Sequence, residues 1–294
     1  MLFLSALAAI AASSGWAIGS LLAERPALAL GAFEFTRIQF IACAAILVVV
    51  CTGMSLWPTA SVQDWPAYTI SIVTAVIGHL ALTACLRSGG ARRIEVVLSL
   101  RAPIVAVLAY LWLGETLGGG DATGGVIVLM GVLIAVLSKD RKQAPDTENT
   151  HRTSLFIALG LLATTCNGIG YLIMKPALEA GTNPLVVSAV RLLGAAFILS
   201  VIGLWPSKTF HPQSPITPML LFQTILPGVI GYVIASSLLF YAFATLDGGI
   251  AAVLGSLAPV LILPIQVIRD LEAPSAGAVI GAVLAVVGVT IIVL

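Results

Sequence analysis

The segment VVLSLRAP, residues 96–103, has a close counterpart in AVLGSLAP, residues 252–259. Each segment lies in an apolar stretch and ends in a proline, which removes a backbone hydrogen-bond donor and interrupts a helix. The first segment also carries Arg101 inside the apolar run. Two similar interrupted segments in one chain indicate that the fold is built from two copies of one unit.

The composition indicates that most of the protein surface faces lipid. Of the 294 residues, 59% are hydrophobic and 9% are charged, whereas a soluble domain usually carries about 25% charged residues. The 14 Lys and Arg nearly balance the 13 Asp and Glu, so no net charge points to nucleic acid as a partner. The four cysteines fall in apolar runs, which predicts small buried side chains rather than disulfides or metal ligands.

Ten apolar stretches are each long enough to cross a bilayer core about 30 Å thick, which needs about 20 residues. The predicted spans are 2–23, 33–53, 66–87, 93–113, 121–138, 154–174, 184–204, 217–245, 249–269 and 275–294. A polar stretch at 139–153 predicts a linker between an N-terminal unit, 1–138, and a C-terminal unit, 154–294. The first stretch has no basic start, which favours a retained helix over a signal peptide.

The two halves of the chain are related by one offset. Three residues of the first half recur 157 residues later, in the pairs Glu115/Glu272, Gly124/Gly281 and Gly131/Gly288. Five helices per copy is an odd number, so the second copy crosses the membrane in the opposite sense. Such inverted repeats recur in secondary transporters and place the binding site between the halves. We predict an all-α integral membrane protein with ten transmembrane helices, forming two inverted five-helix repeats around a central cavity.

The Lys and Arg residues between the spans predict the orientation of the chain. If the N-terminus is outside, the inside loops hold Arg25, Arg87, Arg92, Arg93, Lys139, Arg141, Lys142, Arg152, Lys208 and Arg269. The outside loops then hold only Lys175. We therefore predict a multi-pass protein of an inner membrane with both termini outside.

Glycines on the fifth and tenth spans predict a close contact between these two helices. Gly124 and Gly131 lie two turns apart on one helix face, and Gly281 and Gly288 repeat this spacing. Small residues let the backbones of membrane helices approach closely. We expect the fifth and tenth spans to pack the two halves against each other as a scaffold.

The whole pattern resembles the EamA type of the drug/metabolite transporter superfamily. The matching features are the ten spans, the two repeats and the glycines of the fifth span, together with Trp16, Gly19, Arg37, Leu113-Gly114-Glu115, Asn167, Gly170, Arg191 and the turns Ser99–Pro103 and Ser256–Pro259. The resemblance implies a secondary transporter of small organic metabolites, such as amino acids or drugs, that works by alternating access. It implies export more often than uptake, and no cofactor.

The candidate substrate-binding residues are the polar and aromatic residues within the spans and the residues at the helix breaks: Trp16, His79, Ser99, Arg101, Pro103, Asn167, Tyr171, Tyr232, Ser236, Tyr241, Ser256 and Pro259. Arg101 lies about 12 Å from the end of its span. Its charge either faces a cavity, where it would anchor an anionic group such as a carboxylate, or snorkels to the interface. Pro103 either leaves unpaired backbone in a cavity wall or only bends the helix for packing.

The other candidate residues also have structural alternatives. A neutral His79 either binds a ligand or takes part in proton coupling, or it packs against a neighbouring helix. The aromatic residues either line a pocket or fill the core, and Asn167 and the serines either bind substrate or join helices. Arg37 follows Glu34 by three residues, a spacing that favours an ion pair.

The sequence carries no signature of an enzyme or an ATP-driven pump. The motifs G-x-x-x-x-G-K-[ST], H-E-x-x-H and G-x-S-x-G are missing, as are paired carboxylates within a span. We expect a small-molecule substrate and the lipid bilayer as partners, with proton coupling, exchange or facilitated diffusion as the driving mode, and with either a monomer or a homodimer. The alternatives are a lipid-carrier flippase and a non-transporting subunit of a larger membrane complex.

Overall fold

The computed structural model describes residues 2–98, 100–116, 118–137, 150–207, 210–258, 260–261 and 275–293. Within these ranges the fold is helical and contains no strand. In the same ranges, six helical segments are long and apolar enough to cross a membrane, and three shorter apolar helices accompany them. The chain is a multi-pass membrane protein, as its composition predicts.

The first repeat consists of five helices, which are α1 (Leu2–Leu30), α2 (Ala32–Gly53), α3 (Trp65–Leu98), α4 (Arg101–Leu113) and α5 (Gly119–Leu137). Helix α1 continues through Pro26 to Leu30, so the end predicted for the first span at residue 23 is wrong. The chain turns instead at Gly31, whose φ of 88° is a conformation that favours glycine.

The second repeat contains a larger number of shorter helices. They are α6 (Thr150–Leu172), α7 (Lys175–Glu179), α8 (Pro184–Gly203), α9 (Pro218–Gly228), α10 (Ser236–Phe243), α11 (Gly248–Leu254) and α12 (Ala276–Val293). A π-helical segment, Val229–Ala235, joins α9 to α10 just after Pro227, which removes one donor from the helical ladder. The predicted ninth span begins with α11, and its residues from 262 onward lie outside the described ranges.

The chain reverses direction within the helical stretch Trp65–Leu98. As the chain runs along α3 and into α4, it contacts α6 first at decreasing and then at increasing residue numbers. The contacting pairs are Ser71–Gly170, Cys85–Phe156, Val97–Gly160 and Val105–Gly168. The chain therefore turns back between Cys85 and Val97. This reversal agrees with the prediction of separate third and fourth spans. The helical backbone of α3 continues past residue 87, where the third span was predicted to end.

The two repeats pack against each other through exchanged partners. The first helix of each repeat packs on the third span of the other repeat: α1 on the α9–α10 run, and α6 on α3. The other pairs of helices between the repeats are α2 with α8, α4 with α11, and α5 with α12. This exchange is the arrangement that two copies of opposite orientation produce. It confirms the predicted all-α fold of two inverted repeats around a central cavity.

Both chain termini lie at the same end of the helical bundle. The Thr245 hydroxyl donates a hydrogen bond to Ser5 Oγ at 2.6 Å, and Ala6 and Ile292 line one surface pocket together with Asp121. We call this the terminal end. The opposite end is marked by Arg87, whose Nη2 donates a 2.7 Å hydrogen bond to the side chain of Gln213.

Candidate functional site

A cavity with a volume of about 90 Å³ lies between the two repeats. One water needs about 10–15 Å³ by this measure, so the cavity has room for several waters or one small molecule. Residues from α1, α2, α3 and α4 form one part of its wall, and residues from α6, the α9–α10 run and the segment after α11 form the rest. The cavity extends from Trp16 and Tyr232 toward Ala23 and Ile94, in the direction of the opposite end.

Seven of the predicted site residues line this cavity: Trp16, His79, Arg101, Asn167, Tyr171, Tyr232 and Ser256. Ser99 and Pro259 lie outside the described residues. Three further predicted residues are placed outside the cavity wall. Pro103 lies in the first turn of α4, Ser236 is held by a 2.8 Å hydrogen bond to the Tyr171 hydroxyl, and Tyr241 lies farther along α10 toward the terminal end.

Four aromatic rings form a cluster at the inner part of the cavity. The Tyr232 ring packs edge-on against Trp16, His79 and Phe40, with centroid distances of 5.5, 4.9 and 5.2 Å. Edge-to-face contacts of this kind are favourable beyond the area that they bury. His79 Nδ1 lies 2.8 Å from the Ala75 carbonyl, which only accepts, so Nδ1 carries the hydrogen and Nε2 of the neutral ring is an acceptor. The cluster gives this part of the cavity an aromatic, largely apolar wall.

Arg101 crosses the boundary between the repeats. It is the first residue of α4, and its Nη2 donates a hydrogen bond to the Gly255 carbonyl just after α11. Its side chain lines the central cavity and is partly buried. This geometry favours the cavity-facing alternative over snorkelling, because the guanidinium points across the bundle. A charge within a membrane span usually faces the bundle interior or a water-filled cavity.

In the cavity wall, Trp16 Nε1 and Asn167 Oδ1 are buried and have no hydrogen-bond partner among the described residues. Asn167 is 7% exposed, and its amide nitrogen donates to the Ala163 carbonyl at 2.9 Å. Buried polar atoms are normally paired with protein or with water. One free donor and one free acceptor therefore remain for a ligand or for ordered water in the cavity.

The sequence did not mark several polar residues that the structure places in the cavity wall: Ser20, Gln39, Thr83 and Thr164. Gln39 donates to the Thr224 carbonyl at 2.9 Å, and Thr83 shares a 3.0 Å hydrogen bond with Thr36. Their position depends on how each helix is rotated about its axis. Single polar residues within a span look the same in sequence whether they face the cavity or a neighbouring helix.

Arg191 is a second buried arginine beside the cavity. It is 3% exposed, and its Nε donates to the Ser71 carbonyl at 3.3 Å. Its guanidinium lies over the Tyr171 ring, 4.7 Å from the centroid, which is a cation–π geometry. Arg37, its equivalent in the first repeat, forms the expected ion pair with Glu34 at 2.8 Å. The two equivalent arginines therefore have different environments.

The terminal end of the cavity is closed by packed side chains and an ion pair. Tyr171, Leu172, Phe240 and Phe243 belong to one buried apolar cluster on this side. Beyond it, Lys175 pairs with Glu115 and donates to the Leu246 carbonyl at 2.9 Å. Glu115 Oε2 also accepts from the Gly248 backbone at 2.6 Å. Glu115 belongs to the first repeat and its partners belong to the second, so these contacts join the two repeats at this end.

Helices α5 and α12 form a tight contact outside the cavity. A Cβ on Gly131 would lie 2.6 Å from the Gly281 carbonyl oxygen, and a Cβ on Gly124 would lie 2.8 Å from the Gly288 carbonyl oxygen. The two backbones therefore touch at the four glycines that the sequence singles out. The contact runs antiparallel, because the order of the partners is reversed along α12.

Comparisons with known proteins agree with this architecture. The model of the EamA-like transporter family matches residues 3–137 and 154–294. The chain therefore belongs to this family, which is part of the drug/metabolite transporter superfamily, and this points to a small-molecule transporter rather than an enzyme.

The solved structures give evidence for the fold alone. A protein whose crystal structure is described without a function has a TM-score of 0.78 to this chain at 18% identity, and the match covers 98% of this chain and 95% of that one. No protein of curated function matches the sequence.

Proposed function

We propose that the protein is a secondary transporter that carries a small organic metabolite across the membrane by alternating access. The observation that carries the proposal is a cavity whose walls come from both inverted repeats. In this architecture, rocking one repeat against the other exposes a central site first to one side and then to the other. The close contact of α5 with α12 supplies a fixed seam for this motion.

The charge pattern supports an orientation in which the cavity opens to the cytoplasm. Arg25 and Arg87 mark the end toward which the cavity extends, and basic residues favour the cytoplasmic side. The terminal end, closed by the Lys175–Glu115 pair, then faces the outside of an inner membrane. In this orientation the substrate enters from the cytoplasm, which is the direction of an exporter or an exchanger.

The lining of the cavity supports an anionic, amphipathic substrate. Arg101 is the charged residue of the lining, and none of the described lining residues is Asp or Glu. Charge-assisted hydrogen bonds to a guanidinium are among the strongest that a carboxylate can form. The aromatic cluster around Tyr232 suits an apolar portion of the same molecule, so a small carboxylate such as an amino acid fits both parts of the wall.

The titratable residues of the cavity lining decide which modes of driving transport are available. A transporter that couples to protons through a carboxylate needs an Asp or Glu at the site, and the described lining has none. His79 is the titratable group in a position to replace it. Exchange and facilitated diffusion require no titratable group at all, and we propose exchange as the simplest mode for this cavity.

Uptake into proteoliposomes that contain only this protein tests the proposed function. Candidate solutes come from thermal melts of the purified protein, because a ligand of the folded state raises the apparent stability. We expect saturable transport of a small carboxylate. Arg101→Gln should weaken the apparent affinity at least tenfold, because a charged hydrogen bond is worth about 1.5–3 kcal/mol.

Arg87→Gln is the matched control, since it removes the same charge from a partly exposed site at the opposite end. Transport that survives Arg101→Gln unchanged would contradict the anchor role of Arg101. Movement of a lipid probe without any solute uptake would favour a flippase, and no transport of either kind would favour a subunit of a larger complex.

A further inference from the structure

Arg191 has an unused hydrogen-bonding capacity that the proposed transport site does not explain. Its Nη2 is buried and has no hydrogen-bond partner among the described residues. The carboxylates that form ion pairs among the described residues are those of Glu34, Glu115 and Glu179, and none of them pairs with Arg191. A charge within a membrane span is costly and usually marks a functional site.

A second, smaller cavity lies directly against this guanidinium. Its volume is about 10 Å³, which is room for about one water-sized atom. Three hydroxyl groups line it together with Arg191, those of Ser188, Tyr232 and Ser236. A guanidinium only donates hydrogen bonds, a hydroxyl can donate or accept, and none of the described lining residues is acidic. A water would satisfy the hydrogen bonds but would leave the positive charge without a counter-charge.

The two cavities are separated by two side chains that they share. His79 and Tyr232 line both the central cavity and the small cavity at Arg191. A molecule in the central cavity therefore reaches Arg191 if this partition shifts. A carboxylate oxygen is about the size of a water, so one oxygen of a carboxylate fits the small cavity while the rest of the molecule stays in the central one.

We propose that Arg191 and its small cavity form a buried subsite that takes the carboxylate of the transported molecule. The inference rests on the proposed function and deepens it, because it adds a second cationic contact beyond Arg101. The substrate class is then a small carboxylate whose charged group is drawn past Tyr232 toward the closed end. Free inorganic anions share this chemistry, and the test separates the two sources.

The test is a set of thermal melts of the purified full chain in detergent at constant ionic strength. The probes are propionate, its neutral isostere propionamide, and bromide. We expect propionate to raise the melting temperature of the wild type in a saturable way and propionamide to have no such effect. Arg191→Gln should weaken the apparent affinity for propionate at least tenfold, Arg191→Lys should weaken it less, and Arg87→Gln should leave it unchanged.

Tyr232→Phe provides an independent variant if Arg191→Gln does not fold. It removes one hydroxyl of the small cavity and keeps the ring that packs in the aromatic cluster. We expect a loss of affinity of about threefold to tenfold, as for one neutral hydrogen bond. An unchanged affinity of this variant for propionate would count against the subsite.

Several outcomes would overturn the inference. They are a propionate response that persists unchanged in Arg191→Gln, a response to bromide alone, and the absence of any response in the wild type. If only Arg101→Gln loses propionate binding, the inference fails and the proposed function stands. If proteoliposomes take up no solute at all, the proposed function itself fails.

Discussion

The two repeats meet in two regions with opposite physical character. Along α5 and α12 the backbones touch, and a single methyl group on Gly131 would already lie 2.6 Å from backbone atoms of the partner helix. In the middle of the bundle the repeats are separated by a cavity of about 90 Å³ with unpartnered polar atoms in its wall. Close-packed contacts transmit strain, whereas a cavity leaves side chains room to move. For the proposed alternating access, this difference favours α5 and α12 as the fixed seam and the cavity as the place of rearrangement.

At the terminal end of the cavity, the repeats make a third type of contact. There the repeats are held by side chains, with Lys175 between Glu115 and the Leu246 carbonyl. Such contacts are specific but can break and re-form without moving backbone into backbone. The proposed alternating access requires this kind of contact at an end that opens and closes.

The largest effect is expected for Gly131→Leu, in the seam. The new side chain would meet the backbone of Gly281 and Ala285, and a backbone cannot move aside as a flexible side chain can. We expect a loss of at least about 3 kcal/mol in the free energy of unfolding, by overpacking. Thermal melts in detergent and the yield of monodisperse protein measure it.

Gly125→Ala is the matched control within the same helix. Its Cβ would lie 3.6 Å from a Val253 methyl group, an ordinary contact, and alanine favours a helix over glycine. We expect no loss of stability. Tolerance of leucine at Gly131 equal to that of alanine at Gly125 would show that α5 and α12 do not form a tight seam.

An intermediate effect is expected for Lys175→Met, at the closed end. Lys175 is 3% exposed, and its removal leaves Glu115 without its counter-charge in a largely buried place. We expect a loss of about 2–3 kcal/mol, less than for a fully buried pair because Glu115 keeps the hydrogen bond from Gly248. Thermal melts of Lys175→Met, Glu115→Gln and the double variant give the coupling energy.

Glu179→Gln is the control for the closed end. The Glu179 side chain is 55% exposed and lies 3.4 Å from Lys175, and an exposed pair of this kind contributes about 0–1 kcal/mol. A coupling energy near zero between Lys175 and Glu115 would mean that apolar packing alone closes this end. The ion pair would then have no part in holding the repeats together.

The same contrast explains how much of the molecule could be predicted from the sequence. The seam was predictable because close backbone packing requires glycine, and glycines two turns apart at a fixed offset are visible in a sequence. The position of Arg101 beside the cavity was also predictable as one of two alternatives. A charge within a span either faces a cavity or extends to the membrane interface. Both features depend on residue type more than on the rotation of a helix.

The remainder of the site depends on contacts between distant segments. The ion pair of Arg37 was predictable from its spacing to Glu34. The buried place of Arg191 depends on the packing of α8 on α3, which no local spacing shows. Lys175 and Glu115 lie in different repeats, and no local spacing relates them. Tyr241 is not among the described lining residues of the central cavity, and an aromatic residue within a span shows no sign of which face it occupies.

The smallest effect is expected for Thr83→Val, in the cavity wall. The substitution keeps the shape of the side chain and removes the hydrogen bonds of the Thr83 hydroxyl to Thr36 at 3.0 Å and to the His79 carbonyl at 2.9 Å. The Thr36 hydroxyl still bonds to the Ala32 carbonyl at 2.8 Å. We expect a loss of about 1 kcal/mol or less, because cavity water is able to hydrate nearby polar groups. Thermal melts measured beside those of Gly131→Leu test this. A loss as large as that of the seam variant would show that the cavity wall is as rigid as the seam, and a rigid wall is incompatible with rearrangement around the cavity.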